Sequence, residues 1–311
     1  MLSAPIHIDL HLPRGWNQCT TEELETIAAT MMRHTLLADR YHPFDWLNVK
    51  TELFFLLSGV EITSSRNNDI TKDGEAKIAC RHGKTTFELQ AWQIYSWIDQ
   101  HLSWLDDEKA QPLLIFPYKE LIYKRRWPWQ KKQFFSPSEL LQDFSWQEYR
   151  HLQDYMELFI KTQNQMVKMQ HGVTDLDRLT QLEQQAEEAK QNFLKALFRI
   201  DDITLSRHNV ITKKITPVRW QVILFWWSGF MHYLQQKFPR CFKPANKKTS
   251  NNKSQISTPL DFYVSITATM QKYLSLDEER VNRQTFYLTL EQLERIAKEN
   301  EEMEKISKKH K

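Results

Sequence analysis

Alternate residues of a strand share one face, and His7, Asp9 and His11 alternate with Ile6, Ile8, Leu10 and Leu12 in that way. Two imidazoles and a carboxylate so placed could supply three metal ligands. Nothing else in the sequence completes such a site. Polar alternation along a half-exposed strand explains the same letters, so no metal and no cofactor are expected. Gly83, Lys84, Thr85 and Thr86 spell the end of a phosphate-binding loop. That cradle also needs a glycine five residues earlier, where Ile78 stands, and a hairpin turn accounts for the residues instead. No GxSxG, HExxH or GxGxxG pattern occurs. Cys19, Cys80 and Cys241 are too widely spaced for a Cys-x-x-Cys pair and read as buried or neutral thiols in a reducing compartment. The acid pairs Asp106 with Asp107, Asp201 with Asp202 and Glu187 with Glu188 are adjacent and splay apart on regular elements. No catalytic residue is assigned, and a non-enzymatic cytoplasmic protein is expected.

Binding chemistry has two candidates. Lys119, Lys124, Arg125, Arg126, Lys131 and Lys132 face one acid, Glu120, with Tyr123, Trp127 and Trp129 among them. Cations interleaved with aromatics can track phosphates and stack bases, so Lys124, Arg125, Arg126, Trp127, Trp129, Lys131 and Lys132 form the alternative, nucleic-acid reading. The first reading uses the aromatics of the later helices. Eleven tryptophans are many for one core, and aromatic side chains dominate interface energetics. Trp146, Tyr149, Tyr155, Phe159, Trp226, Trp227 and Tyr233 are the partner-binding candidates, in a helix-in-groove mode.

These residues need elements to hold them. The chain has 311 residues, 41% of them hydrophobic, with a formal charge of +3 and only six glycines, which favours helices over glycine-dependent sandwiches and dinucleotide folds. Expected first is a small α+β domain over 1–110. A strand at 6–12 precedes a helix opened by a Thr20/Glu23 capping box and running to about His34. A helix from about Trp46 to Leu57 follows, closed at Gly59. A hairpin over 76–80 and 85–89 then leads to a helix through Ala91, Ile94, Ile98 and Leu102. Residues 111–137, with Pro112, Pro117, Pro128 and Pro137, read as a basic connection.

A helical bundle is expected over 138–242. Ser138 caps a helix over 138–170 with the stripe Leu141, Phe144, Tyr149, Leu152, Met156, Phe159 and Ile160. Gly172 divides it from a helix over 175–199 with the stripe Leu176, Leu179, Leu182, Ala186, Ala189, Phe193 and Leu197. The two form a long antiparallel hairpin. Val218–Phe238, apolar nearly all round but only about half the ~20 residues of a membrane span, reads as a buried helix. Lys243–Thr258 reads as a flexible basic linker. Residues 259–311 return to helices, the last carrying Glu291/Arg295, Glu294/Lys298, Glu301/Lys305 and Glu304/Lys308 at i,i+4 spacing. The fold class is mainly α: a small N-terminal α+β domain, then a helical bundle with a long hairpin.

Three sets of phrases carry a resemblance. Leu12-Pro13-Arg14-Gly15-Trp16 is followed by Thr20-Thr21-Glu22-Glu23-Leu24. Asp143-Phe144-Ser145-Trp146-Gln147-Glu148-Tyr149 occurs with Tyr155-Met156-Glu157. Leu290-Glu291-Gln292-Leu293-Glu294-Arg295-Ile296 comes late. In their order these segments resemble tail assembly chaperones and accessory tail proteins of phages and prophages of Bacteroidetes-type bacteria. The resemblance implies a protein partner, an elongated helical tail or tape-measure protein, and brings no catalytic residues.

Overall fold

The structure, a computed structural model, describes residues 10–38, 43–64, 77–107, 109–124, 131–170, 176–200, 215–242, 269–270 and 272–309. It is mainly α with a small three-stranded antiparallel sheet toward the N-terminus, as expected. The chain divides into two compact units: Met1–Pro117 with Ile215–Phe230, and Tyr118–Lys214 with Met231–Lys311.

In the first unit, α1 (Thr21–Leu37) opens on the expected capping box. The Thr20 hydroxyl accepts from Glu23 N at 3.2 Å, and the Glu23 carboxylate accepts from Thr20 N at 2.7 Å. α2 (Trp46–Ser58) is capped by Asp45 and ends where Gly59 takes a left-handed φ of 68°. β1 (Glu61–Ser64), β2 (Lys77–His82) and β3 (Thr85–Gln90) pair in that order. β2 and β3 form the expected hairpin, with Gly83 at φ 59° in the first central position of its two-residue turn. β3 runs straight into α3 (Ala91–Leu102). Ile27, Val49, Leu53, Phe54, Cys80, Leu89, Ile94, Ile98 and Leu102 fill the core. Residues 6–9 of the expected first strand lie outside the described residues, and Leu10–Leu12 are not in a strand.

Residues 112–117, expected to be part of a connection, are instead a strap built into this unit. Asn17 holds its backbone from both ends of one amide: Nδ2 donates to Pro112 O at 2.8 Å, while Oδ1 accepts from Leu114 N at 2.8 Å and Ile115 N at 3.3 Å. Trp226 Nε1 donates to Leu114 O at 3.1 Å, and Thr21 Oγ1 donates to Pro117 O at 2.9 Å. Leu113 and Phe116 are buried. Proline breaks helices and ladders, but it fits an extended strap whose carbonyls are taken up by side chains.

α6 (Pro217–Lys237), the apolar helix, contributes residues 217–230 to this unit and 231–237 to the other, so the stretch expected as one bundle over 138–242 is shared out. Gly229 is the reason the strap lies so close. A Cβ there would sit 2.4 Å from Leu113 O.

In the second unit, β4 (Glu120–Lys124) and β5 (Lys131–Phe135) form a two-stranded ribbon within the expected connection. α4 (Trp146–Gln170) starts eight residues after Ser138, which was expected to cap it. Leu140 and Leu141 adopt left-handed φ values of 52° and 58°, a conformation no helix of L-residues sustains. Ser145 is the cap: its hydroxyl accepts from Glu148 N at 3.2 Å, and Glu148 Oε2 accepts from Ser145 N at 2.8 Å. α5 (Leu176–Leu197) packs along α4. Arg199, just past its end, bonds Asp143 and Glu148 at the start of α4, so the pair is antiparallel as expected.

α7 (Glu278–Arg283), capped by Asp277, and α8 (Phe286–Lys309) close the unit. Trp146 N donates to Gln284 O at 2.7 Å and Phe286 N to Phe144 O at 3.0 Å. This short antiparallel bridge between Ser145 and Thr285 ties the starts of α4 and α8 together. Two of the expected i,i+4 acids on α8 also have a long-range partner. Glu294 and Glu301 both accept from the Arg240 guanidinium, whose planar fork presents five donors. Among the described residues no helix is long and apolar enough to cross a membrane.

Candidate interaction site

The α4/α5 hairpin is a seam with two different ends. At its base Tyr149, Leu152 and Met156 of α4 meet Ala186, Ala189, Phe193 and Leu197 of α5, all at three- and four-residue spacing and all buried. α7 and α8 pack on this part of α4 as well, and Tyr149 stacks on Phe286 with ring centroids 4.7 Å apart. Toward the tip Phe159, Met166 and Leu179 are half-buried, although they sit on the same seam.

Beside the seam at the tip runs a second apolar row. Ile160 and Val167 are seven residues apart, so they share one line along α4, one position past the seam residues Phe159 and Met166. Leu176 and Glu183, also seven residues apart, share one line along α5, and Glu183 is one position past the seam residue Leu182. In an antiparallel pair these equivalent lines open on the same side. Ile160 is 47% exposed, Val167 53% and Leu176 70%, which makes an apolar ledge along one side of the tip. Sequence reasoning placed Ile160 and Leu176 in the buried stripes and passed over Val167. The seven-residue spacing of Ile160 and Val167, offset by one from the seam, is the signal that separates the ledge from the core.

The residues expected to bind a partner are placed differently from one another. Trp146 and Tyr149 are inside the second unit, and Trp226 and Trp227 inside the first, with exposures of 0%, 1%, 0% and 5%. Trp226 stacks on Phe230 and meets Phe116 edge-on, and Tyr149 OH lies 3.7 Å from Met231 Sδ. These four rings are core, because their own chain supplies aromatic neighbours for them. Tyr155, Phe159 and Tyr233 are half-buried. Phe159 belongs to the hairpin tip, and Tyr233 lies under the Lys237 ammonium.

Of the basic aromatic stretch, Arg125, Arg126, Trp127 and Trp129 lie outside the described residues. The ribbon register sets Lys124 opposite Lys131 and Tyr123 opposite Lys132. His7 and Asp9 also lie outside the described residues, and His11 is exposed. Among the described residues no group of three or more His, Cys, Asp or Glu is gathered as a metal site would need.

Burial first, then the Glu23 carboxylate, pushes the Cys19 thiol up to about 12. Burial and Glu294 do the same for Cys241, also to about 12, and burial raises Cys80. All three thiols are therefore poor nucleophiles at neutral pH. Glu187 and Glu188 splay as expected, one toward Lys190 and the other toward Gln184. A polar cleft in the second unit is lined by Gln147, Glu278, Glu279, Asn282 and Arg283, with Arg283 paired to Glu279 across one turn of α7.

No protein-family model, no curated protein and no solved structure matches the chain.

Proposed function

We propose that this protein is a non-enzymatic protein-interaction module that docks a helical partner on the tip of its α4/α5 hairpin. The observation that carries the reading is the ledge. Ile160, Val167 and Leu176 stay 47%, 53% and 70% exposed on one side of a hairpin whose base is fully buried. Apolar side chains kept in a row at helical spacing are what a helix-in-groove interaction uses, since each buried side chain contributes roughly 1.5–3 kcal/mol. The resemblance of the sequence phrases to tail assembly chaperones supports a cytoplasmic setting in a phage-bearing bacterium. The partner would then be an elongated helical tail component, held before assembly.

The test is titration calorimetry of the full chain against helical segments of a phage tape-measure protein. Saturable binding is expected, and it should disappear in a V167E/L176E variant whose circular dichroism is unchanged. Absence of binding to any tail component, or binding that V167E/L176E leaves intact, overturns the reading. Salt-sensitive retention on DNA that is lost in a K124E/K131E/K132E variant would favour nucleic acid instead.

A further inference from the structure

We propose that Arg199 is the latch of a conformational device: a strained C-terminal turn of α5 that the acids at the start of α4 hold shut, and that opens when they let go. This goes beyond the docking reading and does not depend on it.

The turn has the geometry with which helices stop on glycine. Ile200 N donates to Lys195 O at 3.0 Å and Arg199 N to Ala196 O at 3.2 Å, which takes up two carbonyls that the helix end leaves over. Closing the turn in this way requires a left-handed residue at position 199, and Arg199 has a φ of 49°. Glycine takes that conformation freely, whereas a Cβ is crowded there by the following carbonyl. By its backbone alone, arginine is a poor residue for the position. α2 shows the unstrained solution within the same chain, closing on Gly59 at φ 68°.

The side chain supplies the compensation. Arg199 Nε and Nη2 donate to the two Glu148 carboxylate oxygens at 2.9 and 3.2 Å. Nη1 donates to Asp143 Oδ2 at 2.6 Å, and Nη2 also to Asp143 O at 2.8 Å. The guanidinium carbon lies 4.3 Å from the centroid of the buried Phe144 ring. An isolated exposed ion pair contributes little, but one planar fork shared by two carboxylates, a carbonyl and a ring is a network of fixed geometry. Between 38% and 47% of each of the three charged side chains is exposed, so dissolved ions reach the latch and weaken it. Glu148 also caps α4 by accepting from Ser145 N, and Phe144 O accepts from Phe286 N. The latch therefore ties the end of α5 to the starts of α4 and α8.

Amide hydrogen exchange of the full chain, read at Ile200 N–H, reports whether the turn is closed. In the wild type, raising the salt from about 0.1 M to about 1 M cuts the screening length from about 10 Å to about 3 Å and is expected to speed exchange there. D143A/E148Q keeps an acceptor for Ser145 N in the α4 cap but releases the guanidinium. It is expected to speed Ile200 exchange roughly tenfold, the factor to which the cost of one left-handed L-residue corresponds, while Phe193 and Leu194 inside α5 stay slow. R199G needs no latch, so its Ile200 is expected to stay as protected as in the wild type, and R199G/D143A/E148Q to match R199G. An Ile200 amide that stays as slow in D143A/E148Q as in the wild type overturns the proposal, and so does one indifferent to salt. R199G exchanging as fast as D143A/E148Q overturns it too, because the turn would then need the contacts themselves and hold no strain. A further gain on adding D143A/E148Q to R199G, or faster exchange at Phe193 and Leu194 as well, equally rejects the latch.

Discussion

Gly229 is the residue on which the first unit's packing turns. Its missing Cβ lets Leu113 O come to where that carbon would be, 2.4 Å away, and the obstructing atoms are backbone that cannot rotate aside. Alanine is the better helix former by about 1 kcal/mol, so propensity alone would make Gly229→Ala stabilising. The steric conflict reverses the sign. The variant is expected to lose roughly 1–3 kcal/mol, as overpacked cores do, which urea unfolding followed by tryptophan fluorescence will read. An unchanged or higher midpoint would show that the strap can lift without cost. Asn17 acts with Gly229, because its amide satisfies three backbone groups of a segment that has no ladder of its own.

At the scale of elements, the start of α4 shows how a local motif wins over a longer apolar pattern. Ser145 and Glu148 exchange two hydrogen bonds, and Glu148 also accepts from Arg199 at 2.9 Å. Asp143, next to this cap, is held below the usual carboxylate range. Burial pushes it upward, but the Ser138 hydroxyl and the Arg199 guanidinium outweigh that. Ser145→Ala is expected to cost about 1 kcal/mol, while Ser145→Thr keeps the cap. In a thermal melt the alanine variant should lose about 2–4 °C and the threonine variant almost nothing. Equal losses in both would mean the hydroxyl is not capping. Along the hairpin, burial falls from the base, where Tyr149, Leu152 and Met156 are buried, to the tip, where Phe159, Met166 and Leu179 are half-buried.

For the whole molecule, the acid–base balance of the second unit sets a pH dependence. Burial raises the Asp154 carboxyl, with Arg150 and His151 opposing it. Burial also raises Glu157; the Gln153 amide opposes that, and Asp154 adds to it. A carboxyl whose folded-state pKa lies above its unfolded value stabilises the fold while protonated. That contribution fades as pH rises from the ordinary carboxylate range through the raised value. D154N/E157Q, which cannot ionise, is therefore expected to melt higher than the wild type at pH 7. The gap should close as the pH falls to about 4, where ordinary carboxyls protonate. A gap that is constant with pH would assign the effect to packing.

Much of this architecture could be read from the order of residues alone. The Thr20/Glu23 box, the closing Gly59, the Gly83 hairpin and the two long amphipathic helices all rest on contacts within a few residues of one another. Propensity, capping and period act over that range, so the letters carry them. Long-range contacts were another matter. That Trp226 bonds the strap at Leu114, that Arg240 pairs with Glu294 and Glu301, and that Arg219 in the returning stretch 215–230 bonds Glu25 depend on partners 54 to 194 residues away. The same holds for the site. Periodicity marks which side chains are apolar, but only the number of elements packed around each decides which are covered. Trp146 and Trp226 therefore became core, while Ile160, Val167 and Leu176 remained at the surface.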